Sequence, residues 1–456
     1  MRARKFQQGQ ALVYGLFVLI GGLAALFFLF NAGQLTREKT KLVNTSDAVA
    51  YSAGVMNARA LNFDAYTNRA MVANTVAIAQ LVSLSSWVQY AGNISTYGND
   101  LENPKFALFY PSYFAAAESG MYLQESLNDA GTLEKLEKTS DAIVQVLSGA
   151  QQVTYASLLP LRQAVMKQVA NANYQNDGTV QVESFTLPTS DFLSFVQPYS
   201  GEDRARFAEV VTTSADKDSF VKKRSWKLPG YWADCASAAP RVDWLDRRGG
   251  TNLSVNFDQW EALDTLSEKR WHPSNWLDVL CSAVGEAPQS WGGNMAADNA
   301  SPDFDWQAYD NSIPVNPGSS FGGLITSESW GYKGLPTFYD LSSDARGQDD
   351  PRLQFSVRLR RDKSQTVTSE GRSDIKPTPR LNAYAAQPAG GNELVAVSTA
   401  ENYFQRDGDA RDNAYGASLG KPHEIGSLFN PYWQVHLVRS DADIRRAQAL
   451  QGVVLP

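Results

Sequence analysis

The sequence predicts an α+β protein: an N-terminal transmembrane helix continuing into a long helical stem, then an exported body of mixed helices and antiparallel sheet. Three observations carry this. Apolar residues run unbroken from Ala11 to Ala32, no proline appears before Pro104, and alternating apolar and polar runs such as Thr179 to Leu187, Phe355 to Leu359 and Glu393 to Val397 begin in the second half. Period-two alternation suits half-exposed strands, whereas a long proline-free stretch rich in Ala, Leu, Val and Gln suits helix.

The apolar run is long enough to matter. At about 1.5 Å per residue, roughly 22 helical residues reach about 33 Å, enough for a hydrocarbon core of about 30 Å. Arg2, Arg4 and Lys5 precede the run and no acidic residue comes before Glu38, so the positive-inside rule keeps residues 1–10 in the cytoplasm and exports the rest. A cleavable signal peptide has a shorter apolar region and small residues at its cut. Here Phe30 and Asn31 stand where those residues are wanted, so an anchor at 11–32 is expected. Gly21 and Ala25 form a small-xxx-small pair that lets another helix come close.

Residues 33–92 read as a helical stem. Apolar residues recur every seven positions at Leu35, Leu42, Val49, Met56 and Phe63, beside the small Ser46, Ala50, Ala53 and Ala60. This makes a narrow packing seam, which docks either on the protein's own body or on a partner helix. Asp47, within it, is a polar contact or a solubilising group. Residues 93–178 read as a turn-rich start followed by amphipathic helices broken near Gly131 and Pro160, with Leu133, Leu136, Ile143, Val144 and Leu147 on the buried face. Residues 179–456 form the mixed body, and 297–323 and 371–391 are long loops. No repeat of fixed period is found.

Composition narrows the chemistry. The chain is 456 residues long with 43% hydrophobic and 20% charged positions, as an ordinary folded ectodomain is. Its net charge is −7, and three of its 41 basic residues lie in the first ten positions. The exported part is therefore more acidic still, and nucleic acid is not an expected partner. Cys235 and Cys281, the two cysteines, fall in the exported part where a disulfide is chemically permitted; a bridge is expected, with two buried thiols as the alternative. The string Gly318-Ser319-Ser320-Phe321-Gly322 matches a nucleophile elbow in letters, with His423 and His436 downstream. Its prolines upstream suit a loop instead of the strand such an elbow needs. His272, His423 and His436 are too scattered to make a local zinc site, and Asp407, Asp409 and Asp412 lack the spacing of a calcium loop. No catalytic residue, metal, cofactor or small-molecule substrate is expected, and the chain is read as a non-enzyme. The tryptophans from Trp226 to Trp291 are read as core, with exposed sugar-stacking platforms as the alternative.

Three segments together resemble the TadG-like (TadE/TadG) proteins of Tad, or Flp, pilus assembly: QQGQALVYGLF from Gln7 to Phe17, LVNTSDAVAYSAG from Leu42 to Gly54, and SLFNPYWQVHL from Ser427 to Leu437. Asp47, Ala48, Ala50 and Ala53 stand where the family has Asp and small residues. In many relatives a Gly precedes a prepilin cut and a Glu follows five residues later. Gly9 fits the first, but Tyr14 stands in place of the second. The cation-binding loop that some relatives carry is not matched by Asp340-Leu341-Ser342-Ser343-Asp344. The resemblance implies a single-pass inner-membrane protein whose partners are the lipid bilayer and pilin-like or envelope proteins. A glycan-binding adhesin is the alternative, and a hydrolase built on Ser320 a more distant one.

Overall fold

The computed structural model describes residues 10–98, 119–232, 242–254, 256–272, 275, 283–297, 329–366, 393–406 and 424–450. Cys235, Cys281, Gly9, Ser320, His423, Asp407, Asp409 and Asp412 lie outside these, as do the whole of the loop 371–391 and all of the loop 297–323 except Ala297. The architecture is α+β. Helix α1 spans Gln10–Gly98, 89 residues without interruption, about 130 Å at helical rise. Helix α2 spans Thr132–Asn173. Gly131 sets its start with φ +66°, a conformation that favours glycine. Pro160 does not break it: the ring points to solvent, while Leu158 and Arg162 on either side are buried.

The chain divides into two units, each assembled from separate stretches: residues 1–65, 153–197 and 340–456, and residues 66–152 and 198–339. In the first, β1 (Val180–Ser184), β9 (Leu353–Asp362), β10 (Glu393–Phe404) and β11 (Trp433–Val438) form an antiparallel sheet in the order β1-β9-β10-β11; the short strands β2 (Val196–Tyr199) and β8 (Phe338–Leu341) belong to neither large sheet. Alternation along β9 and β10 sends Phe355, Val357, Leu359, Leu394, Ala396 and Ala400 to one face, where they meet Leu42, Val49, Ala50 and Ala53 of α1 and Met166 and Ala170 of α2. Helix α4 (Asp441–Leu450) reaches the opposite face, where Asp443 accepts from Ser356 Oγ at 2.5 Å.

In the second unit, β3 (Arg224–Trp232), β4 (Val242–Leu253), β5 (Gln259–His272), β6 (Ala283–Ala297) and β7 (Ser329–Gly331) make a sheet in sequence order, antiparallel except for the parallel β6–β7 pair. The last turns of α1 cross it. Ser86 Oγ donates to Asp264 and to Gly292 O, both at 3.1 Å, and Asn93 Nδ2 to Trp291 O at 2.8 Å. Gly292 is required here, because a Cβ would sit 2.0 Å from Ser86 O and 2.5 Å from Tyr90 N. Asp264, fully buried, is held by Arg224 at 2.7 Å and Arg247 at 3.1 Å. Helix α3 (Ala205–Ala215) packs Phe207 against Phe338, ring centroids 5.1 Å apart.

Candidate functional site

The site of interest is where α1 leaves its apolar run and meets the first unit's sheet. Residues 11–30 are exposed or nearly so, from Leu12 and Tyr14 to Leu29 and Phe30, and this is the described helix long and apolar enough to cross a membrane. Docking begins at the end of the run, where Asn31 is fully buried, and Leu35 already packs on the core. The polar residues that follow are anchored as well. Glu38 pairs with Arg361, Lys39 Nζ donates to Val395 O, and Lys41 lies 4.0 Å from the Tyr174 ring centroid. Burial lowers the Lys39 pKa.

Further along, the small residues form a seat. Ala50 and Ala53 are fully buried against Ala396 and Ala400, and a Cβ on Gly54 would come within 2.5 Å of Val435 Cγ2 and 2.9 Å of Ala400 Cβ. Small side chains thus let the helix lie close on the strands. Polar bonds set its register: Asp47 accepts from Ser398 Oγ at 2.5 Å and Asn402 Nδ2 donates to Gly54 O at 2.8 Å. Asn62 grips β11 at both ends of its amide, donating to Trp433 O at 2.9 Å and accepting from Trp433 N at 3.0 Å. The Trp433 ring lies edge-on to Phe195 and Phe404, at 5.7 and 5.6 Å. The segments 42–54 and 427–437, far apart in sequence, therefore meet in one unit.

The seam separates into two parts. Leu42 and Val49 are fully buried under the protein's own sheet and Leu35 is partly so. Met56 is half-buried and Phe63 is 36% exposed. An α-helix drifts about 20° per seven residues, so four heptads carry Phe63 about 80° around the axis from Leu35. Gly21 and Ala25 are exposed, with nothing within 4 Å of a Cβ built on Gly21. Val43 and Tyr51, outside the predicted seam and about 80° apart around the helix axis, are exposed.

Residues 9–60 match a family model, Tad, described as Flp pilus-assembly TadE/G-like. The match covers 52 of the 456 residues. It takes in the apolar run and the seat up to Ala60, so the TadE/G-like segment is both the candidate membrane span and the helix on which the first sheet is built. No curated protein and no solved structure matches the chain.

Other expected groups lie apart from this site. His436, on β11, contacts Glu401 at 3.2 Å, and Arg352 and Gln354 also donate to Glu401. These bonds hold the Glu401 carboxyl below its usual range against the opposing effect of burial. Among the described residues no group of three or more His, Cys, Asp or Glu could hold a metal. Trp260, Trp291, Trp330 and Trp433 are buried, Trp226 and Trp244 half-buried, and Trp271 exposed, 5.8 Å from Trp244.

Proposed function

We propose that this protein is a non-enzymatic, single-pass component of a Tad-type pilus machine, with its N-terminus in the cytoplasm, its anchor in the inner membrane and its body on the exported side, acting by contact with pilin-like or envelope proteins. The observation that carries the reading is the unbroken passage of the TadE/G-like helix from an exposed apolar run into a seat on the protein's own sheet. The inner face of that helix is occupied. What remains for a partner is the small pair Gly21 and Ala25 within the anchor and the exposed Val43 and Tyr51.

The test uses positions that are open in the folded chain. Gly21→Leu should block close approach of a helix in the membrane, and Tyr51→Glu should place a charge on the exposed side of the helix. Each should abolish piliation while the amount of inserted protein stays at the wild-type level. Normal pili in both variants would overturn the assignment of these faces.

A further inference from the structure

Just beyond the apolar run, α1 carries three cations within five residues, Arg37, Lys39 and Lys41, all of them exposed. In a chain of net charge −7, carboxylates are plentiful enough to meet them. None does so among the described residues. Glu38, the acidic residue between them, pairs with Arg361, and Asp47, the next acidic residue along the helix, accepts from Ser398 Oγ. The arginines of β9 are matched as well: Arg361 also reaches Asp177 at 3.5 Å, Arg358 pairs with Glu183 at 2.6 Å, and Arg360 with Glu393 at 3.3 Å. Lys39 Nζ donates to Val395 O and Lys41 lies over the Tyr174 ring, contacts that position the two ammonium groups without neutralising them. Arg37 makes neither an ion pair nor a hydrogen bond among the described residues.

Their distance from the run identifies what they face. At about 1.5 Å per residue, Arg37, Lys39 and Lys41 stand about 7.5, 10.5 and 13.5 Å beyond Ala32. A polar headgroup layer of about 5–8 Å covers the hydrocarbon core of a bilayer on each side. Helical side chains lean toward the N-terminus, which here is toward the apolar run, so the long arm of Arg37 enters that layer. Lys39 and Lys41 follow within about 6 Å along the axis, inside one Debye length at physiological salt. They lie about 160° and about 40° around the axis from Arg37, so positive charge stands on both sides of the helix. A charged patch far out on the body is open to many partners, but residues at this depth have lipid headgroups for neighbours.

We propose that Arg37, Lys39 and Lys41 form a collar that gathers the phosphate-bearing headgroups of anionic phospholipids around the anchor. A guanidinium can engage two phosphate oxygens at once, whereas an ammonium acts as a point charge. Arg37 therefore makes the direct contact and the two lysines strengthen the field. Anchor, collar and the strand and ring it touches all belong to the first unit. This step rests on the anchored reading above, and it depends on distance from the apolar run, not on which side of the bilayer the body stands.

The experiment uses the full-length protein reconstituted in phosphatidylcholine vesicles with a trace of spin-labelled phosphatidylglycerol or spin-labelled phosphatidylcholine. The fraction of each label that the protein immobilises gives its preference. Arg2, Arg4 and Lys5 lie at the other end of the run, so Arg2→Gln, Arg4→Gln and Lys5→Gln are combined as the background. There phosphatidylglycerol should be preferred at least about five-fold, the effect of one cation near an anionic surface. Adding Arg37→Gln, Lys39→Gln and Lys41→Gln, or 1 M NaCl, should bring the ratio to about one. Arg37→Gln alone removes no polar contact within the described fold and should at least halve the ratio, which decides the matter if the triple change lowers the yield of folded protein. Equal immobilisation of both labels in the background, or a preference unchanged by Arg37→Gln, would overturn the collar. Protein that stays outside the vesicles would instead count against the anchor, so the two failures are distinguishable.

Discussion

The carboxyl of Glu137 contributes to the second unit a stability that falls as pH rises. The side chain is fully buried and neither oxygen has a hydrogen-bond partner. Burial, reinforced by Asp141, raises its pKa from 4.5 to about 7. The folded unit therefore holds a proton that the unfolded chain gives up, and the associated stability is fully present below pH 4.5 and lost as pH rises through about 7. At 1.36 kcal/mol per unit the shift corresponds to about 3 kcal/mol, and solvent screening brings the observable share to about 1–2 kcal/mol. Glu137→Gln keeps the shape and stays neutral, so it should match wild type near pH 5 and exceed it near pH 8, by roughly 2–8 °C in melting temperature. Thermal melts of the full chain in detergent at pH 5 and pH 8 read this directly. A variant that follows the wild-type pH profile, or a wild type that gains stability from pH 5 to 7, would refute the reasoning.

Glu261, raised by burial and then by Asp258 to about 8, should add to the same loss, so Glu261→Gln should further flatten the profile of Glu137→Gln in the same melts. Val49→Ala should cost about 2 kcal/mol by opening a cavity under α1, and Val49→Glu should lower the amount of folded protein on immunoblots instead of acting on partner contact alone. Gly292→Val should fail to accumulate folded protein, because the atoms its side chain meets are helix backbone. Arg162→Ala leaves Asp191 buried without its guanidinium and should cost about 3–5 kcal/mol, seen as a lowered urea midpoint.

What could be read from the sequence was local. The apolar run and the absence of proline before Pro104 predicted a helix from Ala11 to about Tyr90, and alternation at Thr179, Phe355 and Glu393 marked three strands that the fold contains. The spacing of Leu133 and Val144 found buried positions, yet Leu136 and Ile143, expected beside them, face solvent. Their places are taken by Glu137 and Asp141, one helical step around. Bonds such as Gln151 to Thr67 and Asn68 orient α2, and they join residues more than 80 positions apart, so no periodicity within the helix announces them. Strand pairing was hidden for the same reason: β1 pairs with β9, where Val180 faces Arg361. The candidate site was half legible. Asp47 and the small residues of 42–54 pointed to close packing, but their partners on β10 and β11 come from the end of the chain.

The brevity of the connection between Ala32 and Leu35 leaves the first unit no slack. A free linker would let the folded mass swing about its tether, but here the exposed apolar residues and the sheet-facing residues share one continuous helix. Turning the rod about its own axis must turn the sheet with it, and one extra residue at position 33 would swing the unit by about 100° relative to whatever grips the anchor. The bearing of the first unit is thus dictated by the apolar run at its N-terminal end.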